Sequence, residues 1–316
     1  MKKETARPVI LSASRVTDIP AFYMPWFLNR LKEGYSVRIN PYNGKRQCLS
    51  YEKTRIVVFW SKNPAPLLSA IHTLEERGLG FYLHFTLNDY EQEGWEPGLP
   101  SLKKRMQDFR DLSVRLGKER VIWRFDPLIL SPLLSFSELA RRIMSIGEEL
   151  VSLTDRLVIS FLDISPYKSV IHRLKKGGFP LRTPTEEEEA EFIDLLSRLQ
   201  CKWKDVNPSF SISLCAERDW ESRGIEPARC IDGDLLKKLY PYDSALQDYL
   251  KKARKDPSQR PLCRCIESRD IGAYGTCRFA CIYCYARFTR VPLLKEDFTK
   301  ESLSDMIKNT GKKESL

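Results

Sequence analysis

The sequence predicts an α/β protein built as a full or partial (β/α) TIM-type barrel, and three observations carry that prediction. Short β-rich segments recur along the 316 residues, amphipathic helical stretches fall between them, and polar groups gather where the apolar runs end. Such a length suits a single large core, since α/β barrels often reach this size as one domain. A composition 42% hydrophobic and 30% charged is that of a globular chain and excludes collagen-like or low-complexity classes. No uninterrupted apolar run is long enough to cross a bilayer, and the apolar stretch of the N-terminal MKKETARPVILSASR is too short for a signal sequence. The expectation is a cytoplasmic protein with no membrane partner.

Taken in order, the expected strands are Val9–Ala13, Val37–Asn40, Arg55–Trp60, Phe81–Leu87, Arg120–Phe125, Leu157–Leu162 and Phe210–Cys215. Among the helices, Ser101–Gly117 places Leu102, Met106, Phe109, Leu112 and Leu116 on one face, with Ser101 as N-cap and Gly117 as stop. Ser135–Leu150 repeats that pattern, and Glu186–Leu199 and Leu235–Leu250 also read as helical. Residues 1–250 form the expected barrel body. Lys251–Pro261, basic and with two prolines, reads as a linker into a cysteine-rich region, 251–316, expected to pack on the barrel mouth.

Charge and cysteine both concentrate in that last region. The chain carries a net charge of +10, and +7 of it lies in residues 251–316. A solvated basic face is the plain reading, with a nucleic-acid footprint or a shell around an anionic cofactor as sharper ones. Nine cysteines, an odd number without an export signal, argue for metal binding or catalysis over a disulfide scaffold. Cys277, Cys281 and Cys284 supply three thiolates from one short loop with no fourth ligand beside them. That set suits a [4Fe–4S] cluster with one iron left open, where structural zinc usually takes paired ligands. Cys215, Cys230, Cys263 and Cys265 are the number needed for a second metal site. An auxiliary [4Fe–4S] cluster, a zinc ion, a capping role for Cys263 or Cys265, and simple burial of Cys215 all stay open. Cys48 and Cys201 have no partner nearby in sequence and read as ordinary thiols.

The run Cys277-Arg278-Phe279-Ala280-Cys281-Ile282-Tyr283-Cys284 resembles the C-x3-C-x-aromatic-C signature of radical S-adenosylmethionine enzymes, and Tyr285-Ala286 resembles their spore-photoproduct-lyase-like members. A wider resemblance covers nearly the whole chain. The segments SASRVTDIPAFYMPWFLNRL (12–31), VVFWSKNPAPLL (57–68), HFTLNDY (84–90), RVIWRFDPLIL (120–130), VISFLDI (158–164), CAERDWESRGIEPARCIDGDLL (215–236) and CRCIESRDIGAYGTCRFACIYCYA (263–286) are similar to the family called domain of unknown function 1848. The radical S-adenosylmethionine resemblance implies one or two [4Fe–4S] clusters, bound S-adenosylmethionine and a 5′-deoxyadenosyl radical that abstracts hydrogen from an unknown substrate. It also implies Tyr283 near the adenine and a ferredoxin or flavodoxin as electron donor. In such enzymes the cluster loop follows the first strand. Here it comes late, so a related barrel must be permuted, with the loop closing it last.

Reactive groups in a (β/α) barrel sit at the C-terminal ends of its strands. Those ends give Ser14, Arg15 and Asp18; Asn40; Lys62 and Asn63; Thr86 and Asn88; Arg124 and Asp126; Asp163; and Glu217. From these, Arg15, Asp18, Lys62, Arg124 and Asp126 are the catalytic candidates, and Asn63, Thr86 and Asn88 join Tyr283 as cofactor contacts. Arg15, Lys62 and Arg124 suit a carboxylate or phosphate. His84, on a strand, reads as a satisfied core histidine. The sequence has no phosphate loop, no nucleophile elbow and no zinc-protease helix, which leaves kinase, serine-hydrolase and zinc-protease functions unsupported. The alternative to an enzyme is a non-catalytic iron–sulfur or zinc protein that binds nucleic acid through its basic end.

Overall fold

A computed structural model describes residues 5–132, 134–163, 167–217, 220–287 and 295–307. Its centre is an eight-stranded sheet, parallel throughout. Across the sheet the strands run Glu226–Pro227, Ser211–Leu214, Arg156–Phe161, Val121–Leu128, Gly80–Thr86, Ile56–Ser61, Ile10–Ala13 and Arg269–Asp270. Seven of them follow chain order. The eighth, Arg269–Asp270, returns from far down the chain to lie outside the first, pairing Arg269 with Leu11 and Asp270 with Ser12. Among the described residues no pairing joins the two outer strands, so the sheet is open and the fully closed barrel is not formed.

Alternation along the strands sends side chains to two faces, and both are buried, as parallel sheets require. On one face Leu11, Val57, Phe59, Phe81, Leu83, Phe85, Trp123, Phe125 and Ile159 pack against the flanking helices. Those helices include Met24–Glu33, Leu67–Glu76, Leu102–Leu116, Phe136–Leu150 and Glu186–Lys204. The other face, Ile10, Ile56, Val58, Tyr82, Ile122 and Val158, forms a second cluster with Ala228, Cys230, Ile231, Leu235, Leu236, Leu246, Leu250, Cys263 and Cys265. The chain between the two outer strands therefore folds back over this second face.

The expected caps form: Ser101 accepts from the Lys104 amide and Ser135 from the Glu138 amide, each satisfying an orphan helix donor. Three expectations are corrected. Val37–Asn40 is not a strand of the main sheet. Tyr35–Ile39 instead pairs antiparallel with Arg46–Ser50 in a separate three-stranded sheet completed by Thr5–Ala6. Asn40 consequently belongs to a hairpin turn, where its Oδ1 accepts from the Tyr42 and Asn43 amides. Leu235–Leu250 is two helices, Gly233–Leu239 and Ser244–Leu250, because Pro241 can neither donate to the helix nor let Tyr240 stay helical. None of the described helices is long and apolar enough to cross a membrane.

One glycine marks how tightly the helix layer is packed. A Cβ on Gly147, in Phe136–Leu150, would run into the indole of the fully buried Trp203. Gly147→Ala is therefore expected to lower stability by about 1–3 kcal/mol, although Ala is the better helix former by about 1 kcal/mol. Urea unfolding measures this, and an unchanged midpoint would mean that the indole swings aside freely.

Candidate metal centre at the carboxyl edge of the sheet

Asp270 joins the last strand to the first. Its carboxylate accepts from Ser12 Oγ at 2.7 Å, Ser14 Oγ at 2.6 Å, the Arg15 amide at 2.8 Å and the Gly272 amide at 2.8 Å. The chain then runs directly into the thiol loop. Thr17 Oγ1 accepts from the Ala273 amide at 2.9 Å, and Tyr23 donates to the Thr276 carbonyl at 2.6 Å. Further along, the Ile282 amide donates to the Trp95 carbonyl at 3.1 Å, while Arg173 clamps the carbonyls of Ile282 and Cys284 at 2.8 and 2.6 Å. Gly98 lets the loop come this close, since a Cβ there would lie 3.0 Å from the Phe279 backbone.

Within this frame Cys281 is buried and Cys277 and Cys284 are half-buried. Burial raises all three thiols, Cys277 to about 12; Asp18 raises Cys277 further and Glu96 raises Cys281, while Arg173 and Lys62 work against the rise at Cys284. The amides of Phe279 and Asp18 reach the Cys277 sulfur, and those of Ala286 and Arg287 reach the Cys284 sulfur. Amide donors aimed at sulfur stabilise the thiolate that a metal requires.

The sequence-predicted polar set arranges itself around this loop. Asp18 links the first two strands, its Oδ1 accepting from Ser61 Oγ at 2.7 Å and its Oδ2 from the Lys62 amide at 2.7 Å. Burial outweighs those donors and pushes its carboxyl up to about 6. The Lys62 ammonium lies 2.6 Å from Glu96 Oε1 and 3.0 Å from the Tyr283 hydroxyl, with Cys281 near enough to act on its charge. Burial opposes that ammonium, but Glu96 outweighs it, and the pair is held charged. Tyr283 also donates to Glu96. Asn88 ties this group to the next strand, donating to Glu96 Oε1 and the Asp126 carbonyl at 3.1 Å each and accepting the Asp126 amide at 2.8 Å. Asp126 in turn takes Ser160 and the Arg124 guanidinium.

Arg124 and Arg15 turn toward other cysteines. Arg124 Nη1 stands 2.8 Å from Cys230 Sγ, and Arg15 is near enough to Cys265 for the two to act on each other's charge. Burial works against the Arg124 charge, but Cys230 and Asp126 outweigh it. Glu217 accepts the Phe161 amide at 3.1 Å, yet burial brings its carboxyl up to about 7. His84 is fully buried and stacked on Trp60, with Nε2 on the Cys230 carbonyl at 2.7 Å, and burial and Arg124 keep it neutral. It is a core residue as expected, but not a fully satisfied one, since its Nδ1 is buried without a hydrogen-bond partner among the described residues. Thr86 is buried at its strand end, Asn63 is half-buried just past Ser61, and Asp163 is exposed. A small cavity lined by Leu128, Leu130, Phe161 and Leu181 includes none of the thiols.

Sequence reasoning missed Glu96, Asp270 and Arg173. Glu96 sits in an acidic turn with no periodicity, and Arg173 on a helix, Lys168–Lys176, that had not been anticipated. Asp270 belongs to a two-residue strand, too short for any alternation to show. Among the described residues, no three His, Cys, Asp or Glu side chains already converge as metal ligands.

Together these features define a class: an open parallel α/β sheet whose carboxyl edge carries buried thiols in a loop fixed by the last strand. The chain belongs to the family described as domain of unknown function (DUF1848), which matches residues 10–286 and so takes in the whole thiol loop. Comparison with curated proteins gives no match.

Proposed function

We propose that this protein is an iron–sulfur enzyme of the radical S-adenosylmethionine type, built on a partial, permuted barrel. The observation that carries the reading is the position of the thiol loop. It follows the strand Arg269–Asp270, which lies outside Ile10–Ala13, so in space the loop comes after an outer strand although in sequence it comes last. A radical S-adenosylmethionine barrel begun at its second strand, with the first strand and its cluster loop moved to the end, would have this order.

The residues fit the group. Three thiols, one buried and two half-buried, the latter two receiving backbone amides, are a soft donor set suited to iron. Glu96 Oε2 is buried with no hydrogen-bond partner among the described residues. Lys62 has two acceptors, Glu96 and Tyr283, for its three N–H groups. A lone acceptor beside a spare donor suits the ammonium and carboxylate of an amino-acid ligand.

A [4Fe–4S] cluster held by Cys277, Cys281 and Cys284 would keep one iron open for S-adenosylmethionine and supply the electron that cleaves its sulfonium. In this reading Lys62 and Glu96 hold the methionine end of that ligand, and Asn88 keeps Glu96 in place. Arg124 and Asp126, with Thr86 and Asn63, bound the space beyond. Tyr283 serves chiefly to fix Lys62 and Glu96, and a ferredoxin or flavodoxin provides the electron.

Anaerobically purified protein, incubated with S-adenosylmethionine and dithionite, is expected to release 5′-deoxyadenosine, read by chromatography. The triple variant Cys277→Ala/Cys281→Ala/Cys284→Ala should lose about four irons per chain and all of that cleavage. Full iron retention in the triple variant would refute the assignment of ligands. Cluster-loaded protein that leaves S-adenosylmethionine intact would favour the second reading, a non-catalytic nucleic-acid binder. The +7 excess in residues 251–316 supports that one.

A further inference from the structure

We infer that Cys215, Cys230, Cys263 and Cys265 form a second site, for one tetrahedral zinc-type ion, that joins the two open edges of the sheet. The four thiols form a continuous series. Cys215 Sγ lies 3.5 Å from Cys230 Sγ, and Cys215 packs against one buried cluster that holds Cys230, Cys263 and Cys265, where the neighbouring thiols act on one another's charge. In sequence these residues are up to fifty apart, and all four are unbridged thiols.

Spacing decides the nuclearity. Four thiolates on one ion at about 2.3 Å stand about 3.8 Å from each other. Thiolates of an iron–sulfur cluster each take a different iron and stand further apart. The 3.5 Å separation of Cys215 and Cys230 matches the first case. As they stand, the four sulfurs do not converge on one point. Turning them onto a common centre takes rotation about the Cα–Cβ bonds, within the ordinary rotamers of cysteine.

The surroundings suit such a centre. Four thiolates on a dication leave two negative charges, and two arginines face them: Arg124 at Cys230 and Arg15 at Cys265. Arg15 Nη2 is buried without a hydrogen-bond partner among the described residues. The Ile231 amide donates to Cys265 Sγ at 3.3 Å. Asp126 and Asp270 share the arginines from the far side, through Arg124 and the Arg15 amide.

Placement gives the site its role. Cys215 directly follows Ser211–Leu214, the neighbour of the edge strand Glu226–Pro227, and Cys230 comes three residues after that edge strand. Cys263 and Cys265 come just before Arg269–Asp270 at the other edge. The ion would thus connect sheet margins that no hydrogen-bonded ladder joins among the described residues.

Metal analysis of the full-length protein tests this. The triple variant lacking Cys277, Cys281 and Cys284 is expected to keep about one zinc per chain, and Cys230→Ser to lose it. Because Cys230→Ser could also misfold, cobalt(II) is exchanged into the otherwise unaltered protein. The intense visible bands of a tetrahedral tetrathiolate are then expected. Three results would overturn the inference: about four residual irons in the triple variant, a Cys215–Cys230 disulfide by mass spectrometry, or zinc-free protein whose four thiols are all alkylated.

Discussion

Glu96→Ala is expected to destabilise the protein by about 3–5 kcal/mol. The Glu96 side chain is 3% exposed and that of its partner Lys62 is 17% exposed. Removing the carboxylate leaves a buried ammonium whose remaining acceptor is the Tyr283 hydroxyl, and leaves Asn88 without one of its acceptors. An uncompensated buried charge is among the costliest single changes a fold can suffer. Glu96→Gln keeps the volume and removes only the charge, so it separates the two contributions. Urea unfolding of both variants gives the result. An Ala variant within about 0.5 kcal/mol of the parent would show that Lys62 escapes to solvent when its partner goes.

The second large effect is expected at Asp270. Asp270→Ala removes four acceptor contacts at once and strands two buried hydroxyls, Ser12 and Ser14. Each buried donor left unsatisfied costs about 1–3 kcal/mol, so the total should reach about 3 kcal/mol or more. The loss falls where the last strand meets the first and where the thiol loop begins. Iron content after anaerobic reconstitution should therefore fall along with the unfolding midpoint. A variant with parental stability and full iron would show that the loop is held by its other contacts alone, through Thr17, Tyr23 and Arg173.

Much of the sheet was legible because its strands are long apolar runs. Ile56–Ser61, Gly80–Thr86 and Arg156–Phe161 each carry enough β-branched or aromatic residues to stand out against the helices. The two outer strands were not legible. Glu226–Pro227 and Arg269–Asp270 are two residues each, and their strand character comes from what they pair with. The same limit separated Val37 from the main sheet. Its pattern shows a strand but not which sheet it joins. Strand ends did point to Asp18, Lys62, Arg124 and Asp126, which the fold places in one connected network with Asn88. Partners contributed by loops, such as Glu96, lie outside any periodic signal.

The late return of Arg269–Asp270 also bears on how the molecule is made. The inner strands can dock one after another as they leave the ribosome, since each pairs with the strand synthesised before it. Ile10–Ala13 is the exception, because one of its edges waits for residues more than 250 positions downstream. At about 5–20 residues per second that edge stays unpaired for roughly 10–50 s. Throughout that time the nascent chain presents a bare strand of Ile, Leu, Ser and Ala, the kind of template on which other chains can pair. A chain stopped before residue 269 would keep that template permanently.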